Sequence, residues 1–193
     1  VAGRARLYED GRFATPDGRA RFAAPPYRPV AEPRDARYPV SLTTGRLRDH
    51  WHGMSRTGTL GRLFGQVPEP AVEIHPQELA RRGWTAGMLV HVTSRRGSIL
   101  LPVRGAESVA PAQAFIAMHW GEEFLSVRAS AGARLAGVNA LMPSAVCPQS
   151  QQPELKHAAV KLLKAELPWQ LVAAAWLPEA DALIAMQRLR ALM

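Results

Sequence analysis

Between residues 71 and 103, short apolar runs of strand period are interrupted by one proline-started helix and two tight turns. This pattern leaves few folds open. Period-two alternation needs a sheet with a buried face, and the short turns make neighbouring strands pair. Ala71–His75 reads as a strand. Pro76 opens a short helix over Gln77–Arg82, and Gly83 ends it. Thr85-Ala86-Gly87 is a turn, Met88–Thr93 a strand, Arg95-Arg96-Gly97 a tight turn and Ser98–Val103 a strand. Val90, Val92, Ile99, Leu101 and Val103 mark the buried phase. Tyr38–Thr44, ending at Gly45, and Ala114–Met118, after a turn at Pro111, add two more strands. Leu155–Leu163 alternates through Leu155, His157, Ala159, Lys161 and Leu163 and is expected to close the sheet. Short strands with one short helix predict a mainly β fold: a small β-barrel or β-rich α+β core over residues 38–166.

The flanks differ. Residues 1–37 are rich in Pro and Gly and weak in apolar periodicity, which suggests a lead-in segment and linker. Thr15-Pro16-Asp17-Gly18 is a turn, and Phe13 and Phe22 on either side predict a short hairpin. Residues 121–137 read as a small-residue loop. In the tail, residues 167–193, Trp169–Trp176 is apolar and a helix starts at Pro178. Ala182, Met186, Leu189 and Met193 fall at helical spacing, with Arg188 and Arg190 at the end where the helix dipole favours cations. Such a tail is expected to dock on parts of a larger parent. The opening at Val1, with no initiator Met or apolar leader, also suggests a piece of something longer.

Composition narrows the function. The 193 residues suffice for one well-buried domain with flanking pieces. No apolar run approaches the ~18 residues of a membrane span. The lone Cys147 excludes an internal disulfide and any multi-cysteine zinc or iron–sulfur site within the chain. Net charge is +8, and residues 1–62 hold 12 Arg against six acids. Such a stretch calls for an anionic partner: nucleic acid, phosphates, or an acidic face of the same protein. A stand-alone nucleic-acid-binding barrel is therefore one reading, although aromatics are only 7% and stacking platforms are not interleaved with the charges. A structural docking module is another.

Residues 45–67 suit no regular element and read as a long loop with a helical turn; structured loops of this length tend to carry function. The loop opens with Thr43-Thr44-Gly45-Arg46, followed by His50-Trp51-His52 and Ser55-Arg56. Hydroxyls, backbone N–H groups and guanidinium at a strand end can cradle phosphate or hydrogen-bond a heterocycle, or the loop can simply be capped by its own Thr and packed by Trp51. His50-x-His52 with His119 could bind a metal, but no carboxylate or Cys follows at a telling spacing. Cys147 has no base pattern beside it, and Glu122-Glu123 reads as a solvated pair. No nucleophile elbow, Walker loop, HExxH or Rossmann fingerprint occurs. His119-Trp120 follows a strand end, where a side chain can face a ligand. Asn139 can read a heterocycle edge, and Lys156 can neutralise phosphate; a structural cap and a surface lysine are the plainer readings.

Taken in order, SLTTGRLRDHWHGMSRTG, EPAVEIHPQELARRG, GMLVHVTSRRGSILLPV, FIAMHW, VNALMPS and QQPELKHAAVKL resemble the C-terminal molybdopterin guanine dinucleotide-binding domain of the DMSO-reductase superfamily. RLYEDGRFATPDGRARF matches the lead-in to that domain, and the likeness is greatest to assimilatory, cytoplasmic nitrate reductases. The resemblance implies a double-psi β-barrel with short helices and a helical tail. It implies a parent that reduces nitrate to nitrite at molybdenum held by bis-molybdopterin guanine dinucleotide. A 4Fe-4S cluster would lie in the N-terminal part, with an electron donor protein or domain as partner and no nucleic acid or membrane. By position, Thr44 to Gly53 would form the cofactor loop, with Gly45, Arg46, His50, Trp51 and His52 as its contacts and Ser55 and Arg56 extending it. Trp120 would lie near the pterin or substrate funnel, and Asn139 and Lys156 would complete the pocket. Alone, the chain is expected to be catalytically silent. A formate dehydrogenase-type parent is the nearest rival; the HWHGMSRTG loop favours nitrate. Gly53, where the family usually has Thr, Leu141-Met142-Pro143, Cys147-Pro148 and Gln151 depart from the family pattern.

Overall fold

The computed structural model describes residues 6–67, 69–121, 137–166 and 177–190. Six strands close into a barrel: β1 (Val40–Gly45), β2 (Val72–Ile74), β3 (Leu89–Thr93), β4 (Ser98–Gly105), β5 (Gln113–Ala117) and β6 (Ala158–Lys164). Their order around the barrel is β1-β5-β2-β4-β3-β6. The β1–β5 and β2–β4 pairs are parallel, and the other pairs are antiparallel. Closure leaves no sheet edge unpaired, which is how so small a sheet avoids edge-to-edge association.

The alternation read from the sequence fills the interior. Leu42, Val72, Val90, Val92, Val103, Ile116 and Val160 are at most 1% exposed. Each such side chain contributes roughly 1.5–3 kcal/mol through burial. Between β2 and β3 lies helix α2 (Pro76–Arg82). Pro76 stands at its first position, the His75 ring accepts the Gln77 N–H at 3.2 Å, and Gly83 ends it at φ 65°, the left-handed conformation glycine tolerates best. Leu79 on its inner face packs against the barrel core.

Two expectations are corrected. The closing strand is real, but its phase is the opposite one: Ala158, Val160 and Leu162 point inward, whereas Leu155 and Leu163 are half exposed. Apolar residues occupy both phases of this strand, and pairing with β1 and β3 decides between them. The predicted hairpin at Phe13 and Phe22 is a turn only. The Gly18 N–H donates to the Thr15 carbonyl at 3.0 Å, but Phe13 stacks on Tyr8 at 4.8 Å and Phe22 is 96% exposed.

Residues 31–38 lie along the barrel as a strap. Glu32 pairs with Arg96 and Arg95, and Asp35 pairs with Arg95. The Arg34 guanidinium donates to the Ala112 carbonyl at 3.2 Å. Arg95 also lies over the buried Tyr38 ring at 4.9 Å. Helix α3 (Glu179–Arg190) presents Leu183, Ile184, Met186 and Leu189 half exposed. The apolar Trp169–Trp176 run and Met193 fall outside the described residues, as do residues 122–136 of the small-residue loop. Among the described residues no helix is long and apolar enough to cross a membrane.

Candidate functional site

The parallel pairing of β1 with β5 decides where the site forms. Because the two strands run the same way, their C-terminal ends leave the barrel side by side, with Gly45 opposite Ala117 and the Met118 N–H donating to the Gly45 carbonyl at 3.0 Å. The approach at Gly45 is close: a Cβ would stand 2.9 Å from the edge of the Phe115 ring, which would have to shift. The loop after β1 therefore meets Met118–Gly121 after β5. Its short helical pieces are Thr57–Thr59 and α1 (Gly61–Phe64), which agrees with a long loop containing a helical turn.

His119 joins the two segments. It is fully buried; the Leu47 N–H donates to its Nε2 at 2.8 Å, and its Nδ1 donates to the His52 carbonyl at 2.6 Å. Burial, the largest influence, holds its pKa below the ordinary imidazole value, against the hydrogen bond to His52. His50 also turns inward, 6% exposed, with Nδ1 3.1 Å from the Thr57 hydroxyl, which in turn accepts the Trp51 N–H at 3.3 Å. Its ring lies 5.4 Å from His119 and 6.2 Å from Trp120. The three histidines are not a metal ligand set. Both His119 nitrogens are engaged by backbone, and no cluster of three ligating side chains occurs among the described residues.

On this base the loop is strained and open. His52 and Met54 adopt left-handed backbone angles, φ 44° and 60°, which non-glycine residues take at a cost and which cluster at functional sites. Gly53 between them has no atom within 4 Å of where a Cβ would lie. A cleft of ≈420 Å³ opens beside it, lined by His52, Gly53, His119, Trp120, Gly137 and Asn139. Trp120 is 3% exposed, and its indole Nε1 has no hydrogen-bond partner among the described residues. Trp51 is half exposed, with Arg46 over its ring at 5.1 Å and His52 edge-on at 4.4 Å. Arg46, Ser55 and Arg56 are exposed, and neither arginine forms an ion pair among the described residues. Lys156 is exposed and does not line the cleft. Its neighbour is nonetheless tied to the loop base, because the Thr44 hydroxyl donates to the Leu155 carbonyl at 2.8 Å.

A family model described as "Molydopterin dinucleotide binding domain" matches residues 40–159, which span the whole barrel up to the first residues of β6. The chain belongs to this family. Nitrate reductases of Synechocystis sp., Klebsiella oxytoca and Symbiobacterium thermophilum are 42%, 35% and 36% identical over 81%, 84% and 79% of the chain. The chain spans only 21%, 16% and 19% of those proteins. Acetylene hydratase from Pelobacter acetylenicus shares the fold, with a TM-score of 0.55 at 18% identity over 66% of this chain and 18% of that one.

The donor set of this molybdopterin dinucleotide-binding domain fits its ligand class. A pterin offers amide-like edges and a pyrophosphate is anionic. The cleft presents a buried indole N–H that has no partner among the described residues, an amide at Asn139 and bare backbone at Gly53, and Arg46 and Arg56 on the loop form no ion pair among the described residues. His52, Gly53, Trp120 and Asn139, chosen from the sequence, are brought into one cleft. The sequence reading did not find His119 as the link between segments, the support from Thr57, or Gly137. Each acts across the fold, and only the position of His119 after a strand end hinted at such a role.

Proposed function

We propose that this domain holds bis-molybdopterin guanine dinucleotide with molybdenum, and that the polypeptide carrying it reduces nitrate to nitrite. One observation carries the substrate: 35–42% identity to nitrate reductases over most of the chain. When bound, the cofactor's metal supplies the oxygen-atom transfer and the two-electron chemistry. This chain's own residues bind, orient and neutralise. Arg46, Arg56 and Lys156 bring positive charge to the pyrophosphate, and the Arg fork suits its oxygens. Gly45 and Gly53 let backbone approach closely, while Thr44 and Ser55 contribute hydroxyls. His50, Trp51 and His52 form the loop's flat body, Trp120 donates its indole N–H, and Asn139 reads a heterocycle edge. A 4Fe-4S cluster and the contact with an electron donor belong to the rest of the polypeptide, and nitrate assimilation in the cytoplasm is the setting. The exposed apolar residues of α3 dock on those remaining domains, since the chain is about a fifth of its relatives' length.

The test is direct. The purified full-length protein should contain molybdenum, release GMP on acid hydrolysis, and oxidise a reduced viologen with nitrate. Arg46→Ala should lower bound cofactor by about tenfold through loss of charge-assisted hydrogen bonds. Absence of molybdenum and GMP would remove the cofactor assignment. Turnover of formate without nitrate would remove the substrate.

A further inference from the structure

We propose that His119, as the neutral imidazole with its proton on Nδ1, is the positioning residue that clasps both ends of the segment 47–52 to the end of β5, and that protonating it releases the cofactor loop. The cofactor role of the loop rests on the function proposed above; the clasp itself rests on geometry.

The tautomer is dictated by the partners. A backbone N–H can only donate, so the Nε2 that meets Leu47 at 2.8 Å must carry a lone pair. A backbone carbonyl can only accept, so the Nδ1 that meets His52 at 2.6 Å must carry the proton. One ring thus spans 72 residues to Leu47 and 67 to His52. The second bond holds the carbonyl of a residue at φ 44°, beside Gly53 and a second left-handed residue at Met54, so the strained turn is anchored at its first residue.

A second ring proton would point Nε2–H at the Leu47 N–H, turning an acceptor into a donor facing a donor. Among the described residues the surroundings offer it no relief. Arg46, His50 and His52 face the ring from the loop, and all three disfavour added positive charge. The flanking Met118 and Trp120 carry none. The loop carboxylate Asp49 is held by the Arg48 guanidinium at 3.0 and 3.2 Å. With the folded pKa below the ordinary 6.5, the clasp is complete above pH 6.5 and is lost as pH falls from 6.5 through the folded value.

Hydrogen–deuterium exchange of the full-length protein, corrected for intrinsic rates, reads this on residues 46–53. In the native protein, loop protection should fall by about tenfold as the pH is lowered from 8 through the folded pKa of His119, the loss expected for a broken buried hydrogen bond. His119→Phe should exchange at the faster rate at every pH, while the amides of β2–β4 stay protected. His119→Gln, whose neutral amide can still accept from Leu47, should recover part of the protection and lose its pH dependence. Native protection that is flat in pH, or equal to that of His119→Phe, overturns the clasp. If His119→Phe fails to fold, the comparison of native with His119→Gln still decides. A protein without pterin dinucleotide would overturn the cofactor reading alone, because the exchange profile needs no cofactor.

Discussion

Replacing Gly137 by alanine puts a methyl group where backbone already stands. The added Cβ would lie 2.5 Å from the Trp120 carbonyl oxygen, 3.6 Å from the Trp120 carbonyl carbon and 3.8 Å from the Gly121 Cα. The conformation is not at issue, since φ −63° and ψ 177° suit any residue. Space is. Reaching even 3.0 Å requires a displacement of about 0.5 Å, and neither side is a flexible side-chain tip. Overpacking of this kind costs about 3 kcal/mol, the upper part of its usual range, because backbone must yield to backbone. That is a large share of the roughly 5–15 kcal/mol that holds a domain together. The move also parts the two walls of the cleft and shifts Trp120 away from Asn139. Urea unfolding of Gly137→Ala and of the control Gly53→Ala, followed by circular dichroism, measures the cost. Gly53 has open space around it, so its variant should stay within about 0.5 kcal/mol of the native chain. In the full-length protein, Gly137→Ala should also lower bound cofactor. If Gly137→Ala unfolds within 0.5 kcal/mol of the native chain, the close approach is not real and the cleft wall is wrongly placed.

The phase of β6 is tested by a pair of truncations. Val160→Ala should cost about 2 kcal/mol in urea unfolding, and Leu163→Ala, half exposed, no more than about 0.5 kcal/mol; equal losses would refute the inward phase. The strap is tested by acid. The Arg96 hydrogen bond, helped by the charge of Arg95, holds the Glu32 carboxyl below its ordinary 4.5, so the latch is intact above pH 4.5 and fails as pH drops through the folded value. Proteolysis of residues 6–38 should accelerate below pH 4.5 in the native chain and be fast at neutral pH in Glu32→Gln; identical digestion of the two at pH 7 would show that the ion pairs do not hold the strap.

Much of the barrel is legible in the residues. Val90, Val92, Ile99, Leu101 and Val103 announce their strands because alternation acts between neighbours in the chain. Pro76 and Gly83 bound α2 because φ is restricted residue by residue. The cluster from Thr43 to Arg56 stands out because so many hydrogen-bonding and cationic groups sit where no regular element fits. Where local signals conflict, the sequence underdetermines the answer. Ala-Ala-Val-Lys-Leu-Leu-Lys in β6 carries apolar groups in both phases, and Phe22 stays 96% exposed whereas Phe13 stacks on Tyr8.

The chemistry of the site follows the same division. From sequence alone come its ingredients: the Thr-Thr-Gly-Arg strand end, the His-Trp-His loop, Trp120 and Asn139. Only the tertiary structure makes His119 a link to Leu47 and His52, leaves the Trp120 Nε1 without a partner among the described residues, and presses Gly137 against Trp120. Alternation, turn preference and helix limits act over a few residues and can be read along the chain. The meeting of the ends of β1 and β5 is set by parallel register in a closed barrel, where every strand's position depends on all the others.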